Sequence, residues 1–501
     1  MQFMLPYRTG LLALFICVCQ SASAQTDMIA RADKFYENGV YPDATAIYIS
    51  FLEQGYDYLV NTKLADCYYQ MEDWHNAEYW YGVIASHNIA DAGTLLRYAD
   101  LLKTNGKYRE AKNYYLKYAI YKQDGYYLAS TCDWAIANQN KPSGYAVEPV
   151  SFNTTASEMT PTQFKRGVIF ARSNGDEINP NTNTPYYDLF YAEPRVDNSW
   201  NINRMEHVNT DFHEAAPYYD GNTKLMFFTR SNHYHNRTIV SADGTIKLEL
   251  FYAAYTDGKF ARPRPLTLNS REYSIAHPSL TPDGNILIFS SDMPGGKGGI
   301  DLYYSVKKNG TWSEPKNMGD VINTPGDDMY PYISPDGTLY FSSNYHAGFG
   351  GQDVFKSVRQ DDHWSVPENL GKPVNSPQDD FGFTMKNGFG YFTSNRPGGK
   401  GGDDIYQVTQ LAPISTLYVY DVDQKPVFKA KVTFVESPNM QVICETDVNG
   451  LGDVSTLSGA STSIKISREG YLDKVINDIG SLRSSNGILP VELQPLLGTN
   501  E

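Results

Sequence analysis

Residues 330–344 read YPYISPDGTLYFSSN, a glycine-rich run follows to Gly351, and Asp353-Val354-Phe355 closes the unit. Ser334-Pro335-Asp336-Gly337 suits a tight reversal, because proline sets φ for the second place of a type I turn and glycine tolerates the exit geometry. Leu339 to Ser342 then has the aromatic and aliphatic content of a buried strand. Asp353 to Val358 reads as the next one.

The same sentence of residues recurs along the chain. At His277 to Tyr303, Thr281-Pro282-Asp283-Gly284 precedes Ile286-Leu287-Ile288-Phe289-Ser290-Ser291-Asp292 and then Asp301-Leu302-Tyr303. Weaker copies run from Phe381 to Tyr406, from Pro217 to Asn232 and from Pro161 to Tyr191. Phe170, Phe228, Phe289, Phe341 and Phe392 mark the register, and their spacing of 51 to 61 residues is that of a four-stranded propeller blade with long loops. A second marker keeps the same period: Trp312-Ser313-Glu314-Pro315 leading to Ile322-Asn323-Thr324 is matched by Trp364-Ser365-Val366-Pro367 leading to Val374-Asn375-Ser376. Trp200 to Asn209 and Phe260 to Asn269 match it more loosely. A β-propeller over 145–411 is therefore predicted, with five blades and six as the alternative; Tyr145 to Phe152 could pair with the last blade and latch the ring.

At 501 residues the chain exceeds what one hydrophobic core usually serves. The formal charge of −15 argues against nucleic acid or anionic lipid as the main partner, since both require a basic footprint. Tyrosine is abundant, 39 residues against 42 lysines and arginines together, so the surface is expected to be aromatic and acidic. Arg8, the apolar run Leu11 to Val18 and Ser21-Ala22-Ser23-Ala24-Gln25 have the form of an export signal over 1–24. The apolar run is too short to span a bilayer. Leu14-Phe15-Ile16 before Cys17 are too large for a lipid-attachment motif. After removal of the signal, Cys67, Cys132 and Cys444 remain, which is no disulfide framework. They read as buried small hydrophobes, with a Cys67–Cys132 bridge as the alternative.

From Asp27 to about Asn140 the period is helical and repeats every 33 to 34 residues: Ala32, Ala65 and Ala99 are followed by Ala44, Ala77 and Ala111, and then by Tyr48, Tyr81 and Tyr115. Small residues there let paired antiparallel helices approach closely while the tyrosines fill the grooves. Tyr126 to Asn138 reads as a capping helix. Lys141-Pro142-Ser143-Gly144 ends this region. Beyond Ala412-Pro413, alternating strands at Leu417 to Val422, Ala430 to Val435 and Ser463 to Ser467, separated by Asp423-Gln424-Lys425-Pro426 and Asp447-Val448-Asn449-Gly450, predict a small antiparallel β-sandwich over 413–495, with a tail at 496–501.

Chemistry finds little purchase. No G-x-S-x-G elbow is present. His233 and His235 could share one face of a strand and bind a metal, but no third ligand lies at metal spacing and a solvated loop is the simpler reading. Gly295-Gly296-Lys297-Gly298-Gly299 and Gly398-Gly399-Lys400-Gly401-Gly402 lack the Ser or Thr and the helix of a phosphate loop and read as tight crossings between strands. Asp188, Asp301, Asp353 and Asp404 precede the third strand of four copies. They could line a calcium or sugar site, but recurrence suggests that each caps a local turn or pairs with Asn344, Asn395 or their equivalents. Arg172 and Arg230, which replace the serine of the other copies, are the candidate ligand contacts together with Asn344 and Asn395. No catalytic residue, cofactor or metal site is assigned.

These segments resemble known modules. Residues 25–141 resemble tetratricopeptide repeats, 145–411 a PD40/WD40-like (TolB-like) propeller, and 413–495, with D-x-P-V-x-x-A-x-V, T-D-x-N-G and K-I-S-R-E-G-Y, carboxypeptidase regulatory-like domains. Together they resemble the PorE-like envelope proteins. The resemblance implies a non-enzymatic scaffold in the periplasm or on the periplasmic face of the outer membrane, an accessory of type IX secretion that binds other cell-envelope proteins. The OmpA-like domain common in that group is missing, so a direct grip on peptidoglycan is not implied. An exported glycan-binding or glycan-cleaving propeller protein is the alternative, and no membrane-spanning segment is expected after signal removal.

Overall fold

The computed structural model describes residues 27–496 apart from 54, 72, 88–89, 142, 179–184, 198, 235–236, 362, 436–441 and 458–461. The predicted export signal and His235 lie outside the described residues.

Seven helices open the described chain: α1 (27–37), α2 (Tyr41–Leu52), α3 (Tyr58–Gln70), α4 (Trp74–Ala85), α5 (Ala92–Thr104), α6 (Tyr108–Tyr118) and α7 (Gly125–Asn138). Asp57, Asp73 and Asp91 start α3, α4 and α5 by accepting from the third backbone N–H of each helix, at 3.0, 3.2 and 2.7 Å. Gly39 and Gly106 turn the chain inside two of the pairs at φ of 73° and 72°. The six alanines of the period are all fully buried, as the close approach of paired helices requires. The tyrosines do more than fill grooves. Tyr48 donates to Asp33 at 2.7 Å and Tyr115 to Asp100 at 2.7 Å, and Tyr81 donates to Asp66 in the same way. The helical region is thus a stack of pairs compatible with tetratricopeptide repeats.

A large β-rich region follows. Sheet 1 comprises Glu158–Phe164, Gly167–Ile178, Pro185–Pro194 and Trp200–Arg204; sheet 2, Glu214–Asp220, Leu225–Ser231, Leu248–Thr256 and two short outer strands. Sheet 3 comprises Ile275–Leu280, Ile286–Ser291, Asp301–Lys308 and two short outer strands; sheet 4, Asp328–Ile333, Leu339–Ser343, Asp353–Ser357 and Glu368–Asn369. Sheet 5 takes Asp380–Lys386, Phe389–Ser394 and Asp404–Gln410 from the end of the region and borrows its outer strand, Tyr145–Pro149, from the beginning. Each first strand packs against the first strand of the next sheet, and that of sheet 5 against that of sheet 1, so the sheets stand around a ring. The five marker phenylalanines all lie on second strands and are fully buried. Each such burial is worth roughly 2–3 kcal/mol.

Two recurring devices hold the ring together. The first strands carry a bulge at the same place, where Thr160, Ala216, His277 and Tyr330 adopt positive φ of 53°, 48°, 54° and 52° immediately before proline, and Gly382 takes φ of 63° before Phe383. An L-residue there is strained by about 1–2 kcal/mol. The bulge recovers hydrogen bonds between sheets: Thr160 N donates to Thr393 Oγ1 at 2.8 Å, Ala216 N to Thr160 Oγ1 at 3.1 Å and His277 N to Thr229 Oγ1 at 3.0 Å. The second device is the asparagine of the tryptophan marker. Asn209, Asn269, Asn323 and Asn375 each bond both the N–H and the C=O of one third-strand residue, at 2.8–3.0 Å. Asn153, ahead of the first sheet, does the same to Ile405 of sheet 5 at 2.8 and 3.1 Å.

Beyond Pro413, the three strands Thr416–Asp421, Leu451–Asp453 and Ile488–Leu493 and the four strands Lys431–Phe434, Val442–Glu445, Ile464–Ser467 and Lys474–Ile476 form two sheets over one core that includes Leu417, Val419, Val432, Ile464, Ile466 and Val491. The expectation of a wholly antiparallel arrangement is corrected here: Thr416–Asp421 and Ile488–Leu493 run parallel, because the last strand returns beside the first after the chain has crossed the other sheet. Cys67 and Cys132 are free and sit in separate cores, which removes the bridge. Among the described residues no helix is long and apolar enough to cross a membrane.

Candidate interaction surfaces

The candidate ligand contacts Arg172 and Arg230 lie on the second strands of sheets 1 and 2, and Asn344 and Asn395 immediately follow the second strands of sheets 4 and 5. Each has an internal partner. Arg172 Nε lies 2.8 Å from Glu158 Oε1, and Arg230 Nε 2.7 Å from Glu214 Oε1. Both carboxylates are fully buried at the start of their first strands, and both also cap a turn through Thr154 and Thr210. The guanidinium groups stack over Phe170 and Phe190 and over Phe228 and Phe251. Sheet 5 reaches the same result from a position two residues further on, with Arg396 paired to Asp380 over Phe392 and Tyr406. Sheet 3 has Ile275 in place of the carboxylate and Ser291 in place of the arginine. Sheet 4 keeps the acid alone: burial pushes Asp328 up to about 6, and burial pushes Glu214 up to about 7 in spite of Arg230.

Asn344 and Asn395 pin the entry to first strands. Asn344 accepts from Asp327 N at 2.8 Å and donates to its carboxylate at 3.1 Å; Asn395 holds Asp379 at the same distances. Their partners are therefore not the aspartates of the third strands. Those cap the glycine loops instead: Asp301 accepts from Lys297 N and Gly298 N, Asp353 from Phe349 N and Gly350 N, and Asp404 from Lys400 N and Gly401 N. Asp188 differs, holding Arg204 at 2.8 and 3.0 Å. His233 belongs to a two-residue strand pairing Arg237–Thr238. Among the described residues no three His, Cys, Asp or Glu side chains converge as metal ligands.

The axis of the ring is nearly closed. His277 stacks on Tyr330 at 3.9 Å and Tyr330 lies 4.7 Å from Phe381, leaving a cavity of about 40 Å³. At the far end, where first strands turn into second ones, it widens into a funnel of about 490 Å³ bordered by Gln163, Lys165, Tyr219, Asn222 and Lys386. A groove of about 350 Å³ opens beside it between sheets 1 and 2, floored by Phe164, Tyr191, Tyr255 and Phe260.

The near end carries the helical stack. In sheets 3 and 5 the loop lysines reach backbone carbonyls of adjoining loops, Lys297 to Asp320 at 3.4 Å and Lys400 to Asn153 at 2.9 Å. Sheet 4 has Gly348-Phe349-Gly350-Gly351 instead. Phe349 is fully buried in the core of α5, α6 and α7, 5.2 Å from the ring of Trp134. Tyr127 stacks on Tyr345 at 5.1 Å, and Gln378 donates to Thr104 O at 3.2 Å. The capping helix thus covers the last pair and docks on the ring at once. The lysine-to-phenylalanine departure in one loop of three is the sequence signal for this joint, and the repeat period does not carry it.

No family model and no curated protein matches the chain. Among solved structures it is similar to the first tetratricopeptide domain of Spaghetti bound to an HSP90 peptide, at 18% identity over 23% of this chain and 93% of that one, TM-score 0.20. It is also similar to an α-L-arabinofuranosidase from Lactobacillus brevis, at 11% identity over 58% and 95% of the two chains, TM-score 0.35. Yeast Tom70 is matched at 16% identity over 26% of this chain and 31% of its own, TM-score 0.20.

Proposed function

We propose that the protein is a non-enzymatic scaffold of the cell envelope, exported to the periplasm or the periplasmic face of the outer membrane, which binds other envelope proteins and serves type IX secretion as an accessory. Its modules are tetratricopeptide repeats, a five-bladed propeller and a small β-sandwich of the carboxypeptidase regulatory-like type. Five blades are favoured over six because Tyr145–Pro149, which could have begun another, completes sheet 5.

The observation that carries the functional reading is how the modules are joined. Phe349 locks the helical stack onto one rim, while Leu59, Tyr79, Ile120 and Tyr126 stay 60–80% exposed on its outer parts. Acid–base catalysis would need a carboxylate facing substrate. The carboxylates of Glu158, Glu214 and Asp380, at the head of three first strands, are instead occupied by arginine and by turn N–H groups. Photo-crosslinking in cells from positions 79 and 126 should capture envelope proteins. Recovery of none, with the protein folded and exported, would overturn the scaffold reading.

The aromatic floor of the groove between sheets 1 and 2 favours glycan binding as the second reading. Saturable binding of cell-wall or polysaccharide fragments, abolished by Tyr255→Ala, would establish it.

A further inference from the structure

The joint between helices and ring contains a polar layer beneath Phe349. Asp353, on the third strand of sheet 4, is 1% exposed; its Oδ2 accepts from Phe349 N and Gly350 N at 2.7 and 3.2 Å, and its Oδ1 has no partner. Two further buried side chains lack partners there: the hydroxyl of Tyr108, on α6, and Oε1 of Gln352. Lys103, on α5, is 5% exposed and draws on Asp353 across the joint. In sheets 3 and 5 the loop carries a lysine that reaches a neighbouring carbonyl; in sheet 4 that position is Phe349, and Lys103 of the helical stack acts on Asp353.

We propose that the helical stack and the ring form a two-state joint whose docking is linked to protonation, with Lys103 and Asp353 as its determinants and Phe349 as its anchor. The groups that bear on the site are Lys103 and Asp100 from α5, Tyr108 from α6, Cys132 from α7, and Asp353, Lys372, Asp379, Asp380 and Arg396 from the ring. Burial, reinforced by Asp380, pushes the Asp353 carboxyl up to about 7, and Lys103 draws it partly back. Separation of the two bodies removes the helical cover and returns the carboxyl toward its ordinary value near 4. The docked state therefore binds the proton more tightly, so docking strengthens as pH falls from about 8 to about 6 and weakens as pH rises. This holds whatever partner the outer surfaces bind.

Hydrogen–deuterium exchange on the full mature chain tests it, with rates corrected for intrinsic pH dependence. In 125–138 and 345–352, exchange should be about tenfold slower at pH 6 than at pH 8. Asp353→Asn should be slow at both, and Phe349→Lys, which restores the loop of sheets 3 and 5, fast at both. Ile286–Ser291, on the sheet that has Ile275 in place of the buried acid, should respond less than 345–352 and alike in the wild type and Asp353→Asn. Equal protection of the wild type at both pH values, or a pH response that survives in Asp353→Asn, would overturn the joint. So would a response at Ile286–Ser291 as large as at 345–352, because the pH effect would then belong to the whole ring and not to the joint.

Discussion

Glu158 and Arg172 illustrate how much one residue owes to its sheet. Removing one member of a buried pair strands the other charge, so Arg172→Met should cost about 3–5 kcal/mol by denaturant unfolding. The double change Glu158→Ile with Arg172→Ser copies sheet 3 and should cost less than the single change; a larger loss would show that the pair contributes net stability. In the helices, Tyr81→Phe leaves Asp66 without its hydroxyl, though Arg97 stays at 2.7 Å, and should cost about 1 kcal/mol. The sequence marked Arg172 and Arg230 as exceptional residues. What they face was not legible, because Glu158 and Glu214 lie 14 and 16 residues away across a bulged hairpin whose register no local pattern reveals.

At the scale of elements, the closing strand bears the consequence. Tyr145–Pro149 pairs residues 406–410, and Asn153 clamps Ile405, so the ring is shut by chain segments some 250 residues apart. Asn153→Ala removes both bonds and leaves the Ile405 N–H unpaired, while its C=O still accepts from Val150 N at 3.1 Å, which should cost about 1–3 kcal/mol in thermal or denaturant melts. Asn269→Ala, which breaks a clamp inside one sheet, should leave that ring closed and raise proteolysis near sheet 2 alone. The turn and second strand of each repeat were readable because they are local: Gly337 turns at φ of 87° with its N–H on Ser334 O at 2.9 Å, as Ser334-Pro335-Asp336-Gly337 predicts. The bulges were not, although Thr160-Pro161, Ala216-Pro217, His277-Pro278 and Tyr330-Pro331 stand at one place in four copies. Proline ordinarily drives the preceding residue to extended backbone, and only contact around the axis holds these four at positive φ.

For the whole molecule, buried ionisable groups set the response to pH. Burial pushes Asp100 and Asp328 up to about 6 and Glu214 and Asp353 up to about 7, so the folded chain keeps protons that the unfolded chain releases near 4. Their contribution is present at low pH and is lost as pH rises through 4 to 7. His277 acts in the opposite sense: burial lowers it to about 3, and stability is lost as pH falls below the unfolded value near 6.5. The melting temperature should therefore be higher at pH 5.5 than at pH 8, and His277→Gln, which gives up the stack on Tyr330 at both, should cost less at pH 5.5 than at pH 8; a maximum at pH 8 would contradict the assignment. By itself the sequence determined the order of the modules, the helical pairs and the repeating turn and strand, because each rests on spacing within a few tens of residues. Only the tertiary structure decided which strand closes the ring, where the charged side chains find partners and where the helices sit on the rim. Those depend on contacts between distant segments, and the free energy of burying Phe349 or pairing Glu158 exists only once the chain has brought them together.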